Sequence, residues 1–354
     1  MPTKLTRRDF IRLCAGGAAA VSMTSLLAPV LTQAVEAGAP PVIWLQGASC
    51  TGCSVSLLNS VHPDIKKILL DVISLRYHPN ISGAAGDLAM EEGIFKVAEE
   101  YKGQFYLVVE GAVPTGADGK FCMVGERDGH HITFLDLVQE VGGKAAAILN
   151  FGTCSAYGGI PATPPNPTGC KSVPEVVKDV PYINVPGCPP HPDWMVGTIA
   201  HVLLYNEIPE LDRFGRPKMF FKDIIHDNCP RRQYFDNAIF AKNLSEPGCL
   251  LEVGCKGPIA HCDSTIRLWN GGTNWCIKSG APCLACTEPQ FPGWPMYTRL
   301  PEMPIAPGIT ATVDQIGVVL GAATAVGIAG HLAGNIATGR IGPKKHSDEK
   351  EGDS

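Results

Sequence analysis

The chain has 354 residues, 45% of them hydrophobic and 18% charged, with a formal net charge of −5. That length supports two domains and a substantial core, and the charge balance excludes a disordered polymer and a basic nucleic-acid-binding face, so no nucleic acid is expected as a partner. The unusual feature is 14 cysteines beside 39 glycines and 30 prolines; cysteines that only staple a fold belong to small secreted domains, so in a chain of this size metal binding leads.

Residues 1–40 read as an export leader that is not part of the fold. Thr6, Arg7, Arg8, Asp9, Phe10 and Ile11 form a twin-arginine pattern, an uncharged run extends from Leu13 to Val35, and small residues follow at Ala34, Ala37 and Ala39. A short basic region, a modest apolar region and small residues describe a cleavable signal. Twin-arginine export carries folded proteins, which suits cofactors inserted before crossing, so the body is expected on the periplasmic side.

Residues 41–215 alternate short apolar runs with amphipathic stretches, the pattern of an α/β domain with a parallel sheet covered by helices. The expected strands are Val42–Gln46, Phe105–Glu110, Ala145–Asn150 and Tyr182–Val185, with Val72–Arg76 a further candidate and Asp87–Tyr101 a helix. Three strands run directly into turns that carry cysteine: Cys50 and Cys53, then Cys154, then Cys188. Ligands of open α/β sheets bind at the carboxyl ends of the strands, so these four cysteines are expected to converge. A single Cys-x-x-Cys fits zinc or a redox dithiol equally; four cysteines at strand ends are more specific and suit an iron-sulfur cluster. Glu110 follows a strand at the same edge, as a proton relay, a loop-orienting group or a solvated surface carboxylate.

The alternation disappears over residues 216–305. His226, Cys229, Cys249 and Cys255 supply one set of four ligands, and Cys262, Cys276, Cys283 and Cys286 another. Zinc accepts either set as readily as a cluster does. The first domain decides between them, because three adjacent four-ligand sites make sense as an electron wire and little sense as three zinc braces.

Within residues 306–340, Gln315–Gly339 carries no charge and is long enough to cross a hydrocarbon core of about 30 Å. Its Gly and Ala suit close helix packing in a membrane, a buried soluble helix being the alternative. Arg340, Lys344 and Lys345 follow the run, and the positive-inside rule keeps the charged tail of residues 341–354 cytoplasmic. His331 lies inside the apolar run and is a candidate contact to a partner's haem.

The runs WLQGASCTGCSVSLLN, GTCSAYGGIPATPPNPTG, VPGCPPHPDW, HDNCPRR, GCKGP and NWCIKSGAPCLACTEP resemble the small subunit of membrane-associated nickel-iron hydrogenases, and CSVSLLN is also similar to the nickel-iron-selenium members. The resemblance covers the chain from leader to anchor. It implies a flavodoxin-like first domain, a smaller irregular iron-sulfur domain and three clusters in line. Cys50, Cys53, Cys154 and Cys188 would hold a proximal 4Fe-4S cluster nearest the large subunit, and His226, Cys229, Cys249 and Cys255 a distal 4Fe-4S cluster. Many members have Pro where this chain has Cys276, leaving a 3Fe-4S cluster. The fourth thiolate here implies a medial 4Fe-4S cluster on Cys262, Cys276, Cys283 and Cys286, of lower potential.

Oxygen-tolerant members carry extra cysteines where this chain has Gly52 and Gly159, which implies the oxygen-sensitive form, and the carboxylate that often precedes the first proximal cysteine is Ser49 here. The implied partners are a large subunit bearing the nickel-iron centre and an acceptor: a membrane cytochrome b, another quinone-linked subunit or a c-type cytochrome. Two other classes are an NADH-quinone-type subunit, which would lack the second domain, and an exported protein braced by zinc or disulfides. Cys122 and Cys170 stay unassigned, as small buried thiols.

Overall fold

The computed structural model describes residues 39–293, 295–298, 303–306, 309–311, 313–338 and 340–341. The twin-arginine run, Cys14 and the tail beyond residue 341 lie outside the described residues. The chain divides between residues 299 and 300 into two compact units.

The first unit is built on five parallel strands in the order β2-β1-β3-β7-β9. These are β1 (Pro41–Gln46), β2 (Ser74–Tyr77), β3 (Tyr106–Glu110), β7 (Ala147–Phe151) and β9 (Tyr182–Val185). The intervening strands form two short antiparallel pairs: β4 (Val113–Pro114) with β8 (Cys170–Lys171), and β5 (Met123–Arg127) with β6 (His130–Thr133). The central strands are apolar on both faces because both faces are covered. Trp44, Val108 and Leu149 point into one core, while Ile43, Leu45, Leu107, Val109 and Ile148 point into the other.

Register places the strand ends side by side: Gln46 pairs with Glu110, Glu110 with Phe151, and Phe151 with Val185. The turns that carry Cys50, Cys53, Cys154 and Cys188 therefore leave the sheet at one end. Helices α1 (Gly52–Leu58), α2 (Leu88–Phe95 running into Lys96–Glu100), α3 (Phe134–Gly142), α4 (Thr153–Tyr157) and α5 (Pro192–Tyr205) lie between or after the strands. Helix α3 starts where the Thr133 hydroxyl accepts the Asp136 N–H at 3.0 Å, and α5 where His191 Nδ1 accepts the Asp193 N–H, with Pro192 at the first helical position. The strand expected at Val72–Arg76 starts later, at Ser74, because Ile68–Val72 closes a π-helical turn that buries Ile68 and Val72.

From residue 216 to 293 the chain forms only short helical turns, among them Ile225–Asn228, Leu250–Val253, Gly257–Ile259 and Ser264–Arg267. This segment has no core of its own. Ile225, Leu250, Ala260, Trp275 and Ile277 share one hydrophobic cluster with Trp44, Phe151, Trp194 and Ile199. A buried ion pair clamps the two regions: Arg216 Nη1 donates to Glu288 at 2.9 Å and to the Thr287 carbonyl at 3.0 Å, while its Nε donates to Asp212 at 2.7 Å. Glu288 also accepts the His261 N–H at 2.7 Å, which ties the residue before Cys262 to the segment after Cys286.

In the second unit β10 (Met303–Ala306) pairs antiparallel with β11 (Ile309–Ala311), followed by the 25-residue α6 (Val313–Ala337). Among the described residues, Gln315–Ala337 is the one helix long and apolar enough to cross a membrane, and its apolar window is wholly unburied. His331 lies on it, exposed.

Candidate metal centres

At the sheet edge, Cys53 enters the first turn of α1, Cys154 lies in α4, and Cys188 follows the β9 exit through Pro186 and Gly187. The four sulfurs feel one another. Burial pushes the Cys53 thiol well above its ordinary value, and the charges of Glu110, Cys154, Cys50 and Cys188 add to the rise. Burial likewise pushes Cys154 up to about 12, with Cys188 and Cys50 contributing, and raises Cys188 beside Cys50. Gly152 has φ +94°, and a Cβ there would sit 2.5 Å from Cys53 Sγ, so only glycine lets β7 leave the sheet this close to the sulfur. Cys53 is buried, while Cys50 and Cys188 are exposed.

Glu110 is 1% exposed, which removes the surface-solvated reading of this carboxylate. It accepts the backbone N–H groups of Cys53 (3.0 Å) and Ser54 (3.2 Å), the Ser54 hydroxyl (2.5 Å), Gln46 Nε2 (3.0 Å), Ser49 Oγ (3.2 Å) and Trp44 Nε1 (3.3 Å). It therefore pins the Cys50–Cys53 turn to the end of β3.

In the second set, Cys229, Cys249 and Cys255 approach one another. Burial raises all three thiols, and N–H groups aimed at their sulfurs oppose the rise: Arg231 at Cys229, Leu251 at Cys249, Gly257 and Cys283 at Cys255. Such N–H···S bonds stabilise thiolate. His226 sits on the turn beside Cys229, edge-on to Phe235 with ring centroids 4.5 Å apart. Its Nε2 is buried with no hydrogen-bond partner, as befits a nitrogen reserved for a metal, and burial followed by the Arg232 charge lowers its pKa, favouring the neutral, ligating ring.

The third set also converges. Burial pushes Cys262 up to about 12, with Cys276 among its neighbours. Cys286 is raised by burial and then by Cys276 and Cys262, and Cys283 by burial, Cys255, Cys262 and Cys286. Cys276 keeps part of its surface in solvent, yet burial still raises its thiol.

The three sets are linked through backbone. Thr153 Oγ1, beside Cys154, donates to the Cys286 carbonyl, the Cys188 N–H lies close enough to the Cys286 sulfur to oppose the rise of its thiol, and the Cys283 N–H donates to Cys255 Sγ at 3.4 Å. The set on Cys262, Cys276, Cys283 and Cys286 therefore lies between the other two.

All thirteen cysteines from Cys50 to Cys286 are free thiols, so no disulfide braces the described residues. Among those residues no three His, Cys, Asp or Glu side chains are gathered tightly enough to hold a single metal ion. The donor sets, thiolates with one imidazole, are of the kind that holds iron-sulfur clusters. Cys122 and Cys170 stand apart from all three sets; Cys170 is buried with its sulfur 3.1 Å from Thr168 Oγ1, and burial raises Cys122.

Two family models match the chain. NADH ubiquinone oxidoreductase, 20 Kd subunit, matches residues 50–202, and the C-terminal model of the NiFe/NiFeSe hydrogenase small subunit matches residues 221–297. The periplasmic [NiFeSe] hydrogenase small subunit of Desulfomicrobium baculatum is 48% identical over 81% of this chain and 96% of its own length. The uptake hydrogenase small subunit of Azotobacter vinelandii is 39% identical over 93% of this chain and 92% of its own. This chain belongs to the hydrogenase small subunits of the nickel-iron and nickel-iron-selenium family.

The crystal structure of the reduced, active Ni-Fe-Se hydrogenase from Desulfomicrobium baculatum superposes on this small subunit with a TM-score of 0.71 and 48% identity, covering 74% of this chain and all of that one. The first family match contains Cys50, Cys53, Cys154 and Cys188, and the second contains the eight ligand candidates from His226 to Cys286. The relation to NADH-quinone-type subunits is thus confined to the sheet region. Sequence reading overlooks Lys256, Thr153 and the Arg216–Glu288 clamp. A lysine directly after Cys255, inside Gly-Cys-Lys-Gly-Pro, is the available signal for the first.

Proposed function

We propose that this hydrogenase small subunit passes electrons singly from hydrogen oxidation at the nickel-iron centre of a large subunit, through three iron-sulfur sites, to a membrane cytochrome b, another quinone-linked subunit or a c-type cytochrome. The observation that carries this reading is the continuity of the three sets, from Thr153 beside Cys154 to Cys286 and from Cys283 to Cys255. When bound, iron-sulfur clusters supply one-electron oxidation and reduction.

Each site is assigned a 4Fe-4S cluster. Cys50, Cys53, Cys154 and Cys188 form the proximal site, Cys262, Cys276, Cys283 and Cys286 the medial one, and His226, Cys229, Cys249 and Cys255 the distal one. The exposure of Cys50 and Cys188 supports a large subunit docking over the proximal site. The raised thiols mark what the polypeptide contributes: buried sulfurs stay protonated until iron replaces their protons.

The strand order, equivalent to 2-1-3-4-5 once the short strands are set aside, supports a flavodoxin-like domain over residues 41–215. Residues 216–305 form the iron-sulfur domain, residues 306–340 the anchor that holds the protein at the periplasmic face after twin-arginine export of the 1–40 leader, and residues 341–354 a cytoplasmic tail. The unburied apolar α6 supports the anchor.

The test is anaerobic co-purification with the large subunit, followed by paramagnetic resonance under hydrogen. Reduction of all three centres by hydrogen alone is expected. A chain that binds the large subunit yet shows no hydrogen-reducible centre would sink the proposal.

A further inference from the structure

We propose that Lys256 is a fixed cation that tunes the medial and distal sites together, raising the reduction potential of both; this rests on the iron-sulfur reading above. Lys256 is 1% exposed, among the largest fully buried side chains in the molecule. Its Nζ donates to three neutral carbonyls: Gly254 at 3.0 Å, Pro295 at 2.9 Å and Thr298 at 3.4 Å. No carboxylate among the described residues bonds to it. An ammonium taken out of water without a counter-charge is costly, and neutral carbonyls only partly offset the loss.

The surroundings are built to keep it there. Gly254 has φ +96°, and a Cβ at that position would collide with the Thr298 N and lie 2.5 Å from the Tyr297 carbonyl carbon. Only glycine lets residues 297 and 298 lie flat on this turn and bring the Pro295 and Thr298 carbonyls over the ammonium. On its other side Lys256 sits at the seam between two ligand sets: it follows Cys255, and its own N–H donates to the Cys283 carbonyl at 2.7 Å. Its neighbours at that seam are thus Cys255 of the distal set and Cys283 of the medial set.

The missing counter-charge is therefore the thiolate-held group on each side. A cation near a redox centre stabilises the form with one more electron, so it raises the potential. Because Lys256 neighbours a distal ligand and a medial ligand at once, both centres move in the same direction. The Lys256 ammonium bonds to the carbonyls of Gly254, Pro295 and Thr298 and its N–H to Cys283, and to no ligand of the proximal set, so the proximal centre stays where it is.

The experiment compares Lys256→Gln and Lys256→Arg in the anaerobically purified complex. Iron and acid-labile sulfide are measured first, then redox titration is followed by paramagnetic resonance. Lys256→Gln keeps a donor and loses the charge; it is expected to shift the reduction equilibria of the medial and distal centres about tenfold or more toward the oxidised form, about 59 mV for a one-electron couple, and to leave the proximal centre unmoved. Lys256→Arg is expected to hold both potentials. Loss of iron and sulfide from Lys256→Gln but not from Lys256→Arg also supports a charge requirement. Full clusters with unmoved potentials in Lys256→Gln, or cluster loss in both variants, would overturn it while leaving the iron-sulfur reading intact. A wild-type complex without acid-labile sulfide would overturn both.

Discussion

The backbone N–H of Cys283 donates to Cys255 Sγ at 3.4 Å, joining a ligand of the medial set to a ligand of the distal one. The donor is part of the main chain, so it moves only with the backbone of the Cys283 segment. A disturbance of the medial ligands is therefore expected to reach the distal site through this bond.

Cys276 is the proposed fourth ligand of the medial set. Replacing Cys276 by Pro is expected to convert the medial centre to a three-iron form with a new paramagnetic signal in the oxidised state. Paramagnetic resonance of the oxidised complex checks this, and an unchanged spectrum would remove Cys276 from the set.

Glu110 gathers donors from Trp44, Gln46, Ser49, Cys53 and Ser54. Glu110→Ala strands those donors in a buried place, at a cost of roughly 3 kcal/mol or more. A lower thermal-unfolding midpoint is expected, with iron lost first from the proximal site. Glu110→Gln keeps one acceptor oxygen and is expected to fall between the two; differential scanning calorimetry with iron analysis ranks the three proteins.

Gly152 faces Cys53 Sγ across a gap that no side chain fits. Gly152→Ala is strained at φ +94° and pushes on the sulfur, at a cost on the order of 1–3 kcal/mol. The expected outcome is selective weakening of the proximal centre's resonance signal, with medial and distal signals kept.

Sequence carries the sheet far and the cysteine-rich region much less. Val42–Gln46 and Tyr182–Val185 are legible because strands covered on both faces are short apolar runs, and Cys50, Cys154 and Cys188 are placed by the turns that hold them. The start of β2 misleads because Ile68–Val72 is as apolar as a strand while winding a π-helical turn. Beyond residue 216 no periodicity exists to read: Ile225, Leu250 and Trp275 are buried by docking on the sheet face, not by an element of their own. Glu110 is visible as a residue but not as a hub, since its partners come from Trp44, Gln46 and the Cys53 turn, up to 66 positions away. Lys256 is silent for the same reason, its carbonyl partners Pro295 and Thr298 lying 39 and 42 positions on.

Helix α6 is apolar and unburied along its central window. Deleting Gln315–Ser354 is expected to release the complex into the soluble fraction while dye-linked hydrogen oxidation persists. Ultracentrifugation with an activity assay of both fractions checks it; a truncated complex that still pellets with membranes would contradict the anchor.

Metal and sulfide analysis of the purified chain tests the three-site assignment most directly. About twelve irons and about as much acid-labile sulfide per chain are expected from three four-iron clusters. Stoichiometric zinc with no acid-labile sulfide would contradict it.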